Sequence, residues 1–530
     1  MRKTLFGIML TLLLIGMLAL TFNIQPVKAS GPIYIRADGS VVPDTAPIST
    51  VDNVTYTFTD NINASIVVER DNIVVDGAGY TLQGLGGAES QGIALFGRSN
   101  ITIRNIEIKA FTYGIYVQES SSNAIIRNNL TSNERGILLE QSSTNNTIAG
   151  NDVKGNVRGI QILDSSNNNI YNNNIERNHS GGILLSSSNN NCIDQNNITD
   201  NTYDWGIAVS KSSNNRISGN NITHNYIGVT LSSQSSNNTV AQNQIKHNDE
   251  GVRVDESSSN NRISGDNITD NWLGINFNRC SNNNSLYGNN ITNNMFGIWI
   301  WDASNNNNVR GNTIANNDYG MWIWDSSTNH IYHNNFLNNT NHVYTEVSAN
   351  FWDNGSEGNC WSNYTGVDSN SDGIGDSSHT VDTNNTDHYP LVGMVSEFTV
   401  WEDKPYIITI ISNSTICNFN WAYLLNITSG TWEKKDLWCS ALGPDDTVGF
   451  CRIMIPRAFM AGPYNVYVYG GEVNATELPI SNNTHAFLYF TYTHPTIIAI
   501  IPEFPAFLIL PLFMITTLLA VLVHKRNHGP

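Results

Sequence analysis

Four tryptophans and two aspartates recur at matching positions in two neighbouring segments of the chain: Trp299, Trp301 and Asp302 after Gly297, and Trp322, Trp324 and Asp325 after Gly320. Flat indole rings stack on the apolar faces of sugar rings, while carboxylates bind sugar hydroxyls or Ca²⁺. Two carboxylates about 5 Å apart are also the arrangement of a retaining glycosidase. The pattern therefore predicts a sugar-binding surface, with Asp302 and Asp325 as candidate catalytic acids if the site is enzymatic.

Charged residues earlier in the chain form a second candidate group: Arg253, Asp255, Glu256 and Arg279. Polysaccharide lyase chemistry needs a basic side chain beside acids that hold Ca²⁺, and this cluster offers both. A polysaccharide lyase or a glycoside hydrolase is thus an alternative to simple binding. The sequence alone does not decide whether the protein is an enzyme.

Two further sets of residues have metal-ligand chemistry. Four side chains and one backbone carbonyl match the ligand spacing of a calcium loop: Asp368, Asn370, Asp372, Asp376 and the carbonyl of Ile374. His379 stands where an EF-hand has its bidentate Glu. His224 and His247 share one column of the sequence with Asp200 and Asp270, a set that can ligate Cu²⁺ or Zn²⁺. Ca²⁺ is the cofactor that the sequence favours, and copper is kept as an alternative.

The candidate residues belong to a repeat array with a period of 22 to 24 residues. A Gly-aliphatic pair recurs from Gly92 to Gly320, and apolar residues follow each Gly in three short alternating runs. Such short alternation predicts three strands per repeat and no helix. Asn residues recur in two columns, which end at Asn334 and Asn339, and stacked amides stabilise the corners of a parallel β-helix. The array is therefore predicted to be a parallel β-helix whose tryptophans face outward on neighbouring coils.

The cysteines fall into two groups. Cys280 belongs to a column of small residues six positions after each Gly, and we interpret it as a small buried group because no His shares its place in the repeat. Cys417, Cys439 and Cys451 crowd one later segment, where one pair can be bridged and one thiol left over.

Composition divides the chain into six segments: residues 1–29, 30–91, 92–345, 346–395, 396–500 and 501–530. The first has the basic start, apolar run and small-residue end of a secretory signal peptide. The next three are predicted to be a cap with the first coils, the repeat array, and a closing segment that contains the calcium loop. The fifth reads as a small antiparallel β-sandwich stalk. The last has eighteen mostly apolar residues before a basic end, which predicts a transmembrane helix with the bulk of the chain outside.

Charge excludes one class of partner. The formal net charge is −18, so the chain lacks the clustered Lys and Arg that nucleic acid binding requires. Asn-X-Ser/Thr sequons from Asn53 to Asn474 predict a glycosylated, extracellular protein. The oligomeric state and the glycan are left open.

The repeat, Gly-Ile-x-Leu followed by Ser-Ser, Asn-Asn and two Ile-Asn steps, resembles the right-handed parallel β-helix repeat of NosD-type proteins and of carbohydrate-binding and sugar-hydrolysis (CASH) domains. The resemblance covers about Gly92 to Leu391, and the segments at Asn350–Asp353, Gly358–Gly366 and Asp387–Leu391 are similar to the end of NosD-like helices. The Pro-Glu-Phe-Pro tail from Pro502 resembles sorting signals of archaeal surface proteins, in which a lipid replaces the helix.

These resemblances imply an all-β fold of about 11–13 coils on a cell-surface protein. They also imply a polysaccharide or cell-surface glycan as the partner. A NosD-type protein would instead serve copper handling in the maturation of a copper enzyme. Polysaccharide binding is the function we expect, with the lyase or hydrolase and the copper-handling factor as alternatives.

Overall fold

The computed structural model describes residues 31–201, 203–426 and 431–502. Over these ranges the chain is all-β, with a right-handed parallel β-solenoid of about 13 turns followed by antiparallel sheets. None of the described residues forms a helix long and apolar enough to cross a membrane. The predicted signal peptide and the predicted C-terminal apolar helix both lie outside the described residues.

Three sheets form the walls of the solenoid, and each turn of the chain adds one strand to each sheet. Sheet A has 15 strands, in stacking order Val41–Val42, Ile33–Ile35, Ile66–Val68, Gln91–Phe96, Tyr113–Gln118, Arg135–Glu140, Arg158–Leu163, Ile183–Ser186, Trp205–Ser210, Ile227–Ser232, Glu250–Val254, Leu273–Phe277, Phe296–Trp301, Tyr319–Trp324 and Asn341–Glu346. The tryptophans of the repeat lie on its last strands.

Sheets B and C have shorter strands. Sheet B contains Ile48–Ser49, Thr55–Phe58, Val74–Asp76, Thr102–Arg104, Ala124–Ile126, Thr147–Ala149, Asn169–Tyr171, Cys192–Asp194, Arg216–Ser218, Thr239–Ala241, Arg262–Ser264, Ser285–Tyr287, Asn308–Arg310 and His330–Tyr332. Sheet C contains Thr81–Gln83, Glu107–Lys109, Asn129–Thr131, Asp152–Lys154, Asn174–Glu176, Asn197–Thr199, Asn221–Thr223, Gln244–Lys246, Asn267–Thr269, Asn290–Thr292, Thr313–Ala315, Asn335–Leu337 and Cys360–Trp361. The prediction of three strands per repeat is confirmed.

The interior of the solenoid is a column of aliphatic side chains. Ile298 and Ile300 are fully buried, and each stacks on the residues at its position in the coils above and below. The recurring Gly allows neighbouring coils to approach closely, since a Cβ on Gly297 would lie only 2.5 Å from the carbonyl oxygen of Gly320. A larger residue at this position would push the coils apart.

Buried amide ladders run along the corners of the solenoid. In one predicted column, the side-chain NH₂ of Asn196 donates to Oδ1 of Asn220 at 3.0 Å, and the same oxygen accepts the backbone N–H of Asn196 at 2.9 Å. The other predicted column is bonded in the same way. A third ladder, in a column that was not predicted, joins Asn191 to Asn215. The ladders satisfy buried polar groups that would each cost about 1–3 kcal/mol if left unpaired.

The interpretation of Cys280 as a buried group is wrong, because Cys280 is exposed. The turn after this strand holds one residue more than the six-residue spacing from the Gly predicts. The two residues of this turn, Arg279 and Cys280, adopt the left-handed conformation, with φ of 47° and 61°. The buried small residue of this coil is therefore Ser281, whose N–H donates to Oγ of Ser304 at 3.2 Å.

The parallel stack begins well before the first Gly of the array. Ile33–Ile35 pairs in parallel with Ile66–Val68 in sheet A. Two antiparallel strands, Val41–Val42 and Ile48–Ser49, pair with the first strands of sheets A and B. They cover edges that would otherwise be open to other chains.

Two antiparallel five-stranded sheets follow the solenoid and share one core. The first contains Met394–Trp401, Pro405–Ser412, Val448–Pro456, His485–Thr493 and Thr476–Glu477, and the second contains Thr415–Asn426, Thr431–Leu442, Thr496–Pro502, Tyr464–Val468 and Gly471–Val473. A two-stranded ribbon, His379–Asp382 with Asn385–Asp387, precedes them in the chain. Cys439 and Cys451 lie in the shared core, and they and Cys417 are free thiols in this structure.

Candidate functional site

Seven aromatic side chains cover the outer face of sheet A over its last three strands, and we call them the aromatic ladder: Phe296, Trp299, Trp301, Tyr319, Trp322, Trp324 and Tyr344. The strand register places Trp299 beside Trp322 and Trp301 beside Trp324. The rings of Trp301 and Trp324 are stacked, with centroids 6.2 Å apart and an interplanar angle of 13°. The four tryptophans singled out from the sequence thus lie together on one outer surface.

The ladder is open at one edge and half-buried at its centre. Trp324 and Tyr344 are 42% and 39% exposed, whereas Trp299 and Trp322 are partly covered by neighbouring rings. The later antiparallel sheets contact the solenoid on sheets B and C, where Asn335 exchanges hydrogen bonds with Val395. The aromatic ladder lies on sheet A, away from that contact.

Sequence reasoning missed part of the ladder. Phe296 and Tyr319 occupy the position before the recurring Gly, which two-residue alternation assigns to the inward side with Ile298. Their ring contacts with Trp299 and Trp322, at 5.1 and 5.0 Å between centroids, place them with the ladder instead. Tyr344 belongs to the last coil of sheet A, which lacks the Gly that anchors the repeat. Trp272, in the turn before sheet A, is exposed and lies 6.4 Å from Trp299 between ring centroids.

Polar side chains lie on the two coils before the ladder, within their sheet A strands or directly after them, and we call them the polar block: Glu250, Arg253, Asp255, Asn276 and Asn278. Nε of Arg253 donates to Glu250 at 2.7 Å, and its Nη2 donates to the other carboxylate oxygen. The Asn276 side chain donates to Glu250 at 3.3 Å and accepts from Nε1 of Trp301 at 3.0 Å. The ladder and the block are therefore one hydrogen-bonded surface.

Ion pairs and burial within the polar block limit the acid–base chemistry that its charged side chains can perform. Burial opposes the charge of Arg253, but the hydrogen bonds and charge of Glu250 outweigh it and raise the pKa of the guanidinium. Arg253 is thus unsuited to act as the base of a lyase. Arg279 has an exposed side chain and lies 3.3 Å from Glu256 and 3.7 Å from Asp255. Burial raises the pKa of Asp255.

Three buried polar atoms at the junction of the ladder and the block have no hydrogen-bond partner among the described residues: Oδ1 of Asp255, Oδ1 of Asn278 and Nε1 of Trp299. Buried polar atoms are nearly always paired, because each unpaired one costs about 1–3 kcal/mol. The junction therefore has hydrogen-bonding capacity that this part of the protein does not use. The sequence carries no signal for this feature, because it depends on side-chain packing.

Asp302 and Asp325 lie at the outer edge of the ladder, directly after Trp301 and Trp324. Both are exposed and adopt the left-handed conformation, with φ of 56° and 47°. Their carboxylates make no hydrogen bond or ion pair with any described residue. The structure places these two candidates beside the tryptophans but outside the polar block.

The candidate metal ligands are not gathered into a centre. The rings of His224 and His247 lie 5.2 Å apart on exposed turns. In the loop predicted to bind Ca²⁺, the Asp368 carboxylate accepts the backbone N–H groups of Asp372 and Gly373, at 3.0 and 2.8 Å. Across the described ranges, no group of three or more His, Cys, Asp or Glu side chains is placed to hold a metal ion. The calcium and copper sites stay predictions.

The three stacked sheets make this a right-handed parallel β-solenoid protein. A sequence model of the family described as periplasmic copper-binding protein (NosD) matches residues 63–234 and 206–366, which together make up more than half of the chain. The protein therefore belongs to the NosD family, and that part of the resemblance drawn from the repeat is confirmed. No curated protein matches the chain.

Several solved structures are similar in fold. The mannuronan C-5 epimerase AlgE4 A-module of Azotobacter vinelandii is 14% identical, with 54% of this chain and 91% of that chain covered and a TM-score of 0.37. The periplasmic alginate epimerase AlgG is 16% identical, with coverages of 61% and 84% and a TM-score of 0.32. The Agl-KA catalytic domain is 14% identical, with coverages of 54% and 62% and a TM-score of 0.41. At these identities the likeness concerns the fold alone.

Proposed function

We propose that the protein binds polysaccharide along the aromatic ladder. The observation that carries the proposal is the continuous outer surface of seven aromatic rings, which adjoins polar atoms with unused hydrogen-bonding capacity. Aromatic rings cover the apolar faces of sugars, and the polar groups beside them take the hydroxyls. The two kinds of group that a sugar needs are thus present on one sheet.

The dimensions of the ladder favour a polymer over a single sugar. The ladder spans three neighbouring strands of sheet A, which is roughly 10 Å along the solenoid axis at about 4.8 Å per strand. Across the sheet it runs from Phe296 to Trp301, which is roughly 17 Å at about 3.3 Å per residue. A surface of this size accommodates several linked sugar rings.

Removing single rings tests the proposal. We expect Trp299→Ala and Trp322→Ala each to weaken polysaccharide binding at least tenfold, measured on a glycan array and then by calorimetry with the polymers that bind. Trp205→Ala is the matched control, because Trp205 lies on sheet A several coils away from the ladder. Unchanged polysaccharide binding in both ladder variants would contradict the proposal.

A polysaccharide lyase or hydrolase on the same face is the second candidate. The observation that favours it is the buried acid Asp255 beside the ladder, since burial raises the pKa of its carboxyl toward the range of a general acid. The test is the release of reducing ends or unsaturated products from polysaccharides. The activity should disappear in Asp255→Asn if the block is the catalytic centre, and in Asp302→Asn or Asp325→Asn if the edge carboxylates are.

Copper binding is the property that the family description names. The described residues offer copper the two exposed imidazoles of His224 and His247, with no third His, Cys, Asp or Glu grouped with them. Two nitrogens fall short of the four ligands of a square-planar Cu²⁺ site, so this pair does not fit a resident copper centre. Stoichiometric copper binding that is lost on substitution of both histidines by Ala would favour the family function here.

Calcium binding and surface anchoring complete the proposal. Residues Asp368 to Asp376 retain the spacing of a calcium loop, and a chelator that lowers the melting temperature would support a structural Ca²⁺. Secretion and a C-terminal anchor rest on residues 1–29 and 501–530. Fractionation of cells and the mass of the mature chain test both.

A further inference from the structure

The proposed function leaves the charge of the polysaccharide open, and the junction between the aromatic ladder and the polar block decides it. Asp255, Asn278 and Trp301 occupy the same repeat position in three successive coils, so the polar column runs directly into the aromatic one. A sugar ring stacked on Trp301 would therefore have its edge at Asn278 and Asp255. Hydrogen bonding at this edge determines which sugars fit.

The unused atoms at the junction call for a ligand that both donates and accepts hydrogen bonds. Asp255 and Asn278 are 7% and 6% exposed, and each has an acceptor oxygen without a partner among the described residues. Nε1 of Trp299, two residues before Trp301 on the same strand, is an unpartnered donor. A sugar hydroxyl matches this combination, because it donates one hydrogen and accepts others. A carboxylate or sulfate ester placed at this edge instead of a hydroxyl offers acceptors only and leaves both oxygens unpaired.

The charges around the junction also disfavour an anionic polymer. Arg253 is already neutralised by two hydrogen bonds to Glu250, so its charge is not available to a ligand. Arg279 is shared between Asp255 and Glu256. Two more carboxylates, Asp302 and Asp325, lie at the outer edge of the ladder. A uronate chain on this face would meet more negative than positive charge, without compensating contacts.

We infer that the polysaccharide bound on the aromatic ladder is uncharged, and that Asp255 and Asn278 bind hydroxyls of the sugar whose ring stacks on Trp301. The inference rests on the proposed function and adds its ligand class. It also removes uronate polymers from the substrates of the enzymatic alternative.

The test compares neutral and acidic polymers on the full-length protein. The neutral probes are a soluble β-glucan, dextran and a glucomannan, and the acidic probes are polygalacturonate and alginate, each at low and at near-physiological salt. We expect at least one neutral polymer to bind with little dependence on salt. We expect Asp255→Ala and Asn278→Ala each to weaken that binding at least tenfold, while Asp164→Asn, an exposed acid far along the same solenoid, leaves it unchanged.

Three results separate the inference from the function on which it rests. Acidic polymers that bind more tightly than neutral ones, and that need Trp299, would overturn the inference and leave polysaccharide binding standing. Neutral binding that survives both alanine variants would also overturn it. Binding that ignores the tryptophans would remove the proposed function itself.

A variant of similar volume keeps the test valid if the alanine variants fail to fold. Asp255→Asn changes one charge with almost no change in side-chain volume, so the surrounding packing is retained. We expect the ratio of acidic to neutral polymer affinity to rise at least threefold in this variant, because one repelling carboxylate is lost. An unchanged ratio would contradict the inference.

Discussion

One carboxyl group stands in a column of buried amides. Asp266 accepts the backbone N–H and the side-chain NH₂ of Asn243, at 2.7 and 2.8 Å, as an Asn in its place would. The next residue of the column, Asn289, also donates its own NH₂ to Ile263 and to the following amide. Oδ2 of Asp266 has no such partner among the described residues, and burial raises the pKa of the carboxyl to about 7. A protonated Asp266 can donate a hydrogen as an amide does, and an ionised one cannot.

Asp266→Asn should therefore stabilise the protein, and the gain should depend on pH. A raised pKa in the folded state means that ionisation opposes folding: the penalty is absent below the ordinary pKa of 3.8, grows as pH rises, and is complete above about 7. We expect a gain of about 1–3 kcal/mol at pH 8 and little at pH 4, measured by denaturant unfolding. Asp270→Asn, an exposed acid of the same coil, is the control. Equal gains at both pH values would contradict this account.

At the scale of the element, the corner ladders carry more stability than the outer face of the same strands. Asn220 accepts from the backbone and side chain of Asn196 and donates to Ile193 and Asn243, all within the buried corner. The following residue, Asn221, is exposed and has one side-chain bond to Asn197. Two asparagines that are adjacent in sequence thus have different roles.

Alanine substitutions at these neighbours should differ strongly. Asn220→Ala leaves several buried groups unpaired and should lower the free energy of unfolding by about 3 kcal/mol. In Asn221→Ala, water replaces the lost hydrogen bond to Asn197, because this position is exposed. The free energy of unfolding should therefore change by less than about 0.5 kcal/mol. Thermal or denaturant unfolding of the two variants measures the difference. Similar values for both would show that the ladder is not the source of stability.

At the scale of the whole molecule, a buried cluster of charges joins the solenoid to the antiparallel sheets. Glu357 is hydrogen-bonded to Nε2 of His333 at 2.7 Å and accepts from Nη2 of Arg452 at 2.5 Å. The other nitrogen of His333 lies 4.0 Å from Glu397, which pairs with Arg310. Burial opposes the charge of His333, but the two glutamates outweigh it and raise its pKa. The contact is thus strongest while His333 is protonated.

The contact between the solenoid and the antiparallel sheets should weaken in alkaline solution. Because the folded pKa of His333 is raised, its contribution is fully present below the ordinary pKa of 6.5 and is lost as pH rises through the folded value. We expect His333→Gln to lower stability by about 2 kcal/mol at pH 6 and by much less at pH 9. Limited proteolysis and thermal unfolding at both pH values measure this. His388→Gln is the control, since His388 is exposed and its ion pair is with Asp353, outside the buried cluster. A pH-independent difference would refute the role of protonation.

Periodic features of this molecule were predictable from the sequence, and non-periodic ones were not. The alternation around Ile298 and Ile300 predicted the strands because the inward side chains of the solenoid strands are apolar and their neighbours face outward. The assignment of Cys280 failed because one inserted turn residue shifts the buried position to Ser281. The pair Glu357 and Arg452, 95 residues apart, belongs to no repeat. The unpartnered atoms at the polar block likewise arise from packing between coils.

The amides of the corner ladders bond within their own coil and to the coils on either side of it, so the ladder pattern does not depend on the number of coils. A chain that gained or lost one whole repeat before the aromatic ladder would keep its corner bonds. Its N-terminal tip would move by about 4.8 Å. The aromatic ladder would not move relative to the antiparallel sheets, because both lie at the C-terminal end of the stack. Insertion or deletion of whole repeats can therefore change the length of the solenoid without altering the aromatic ladder.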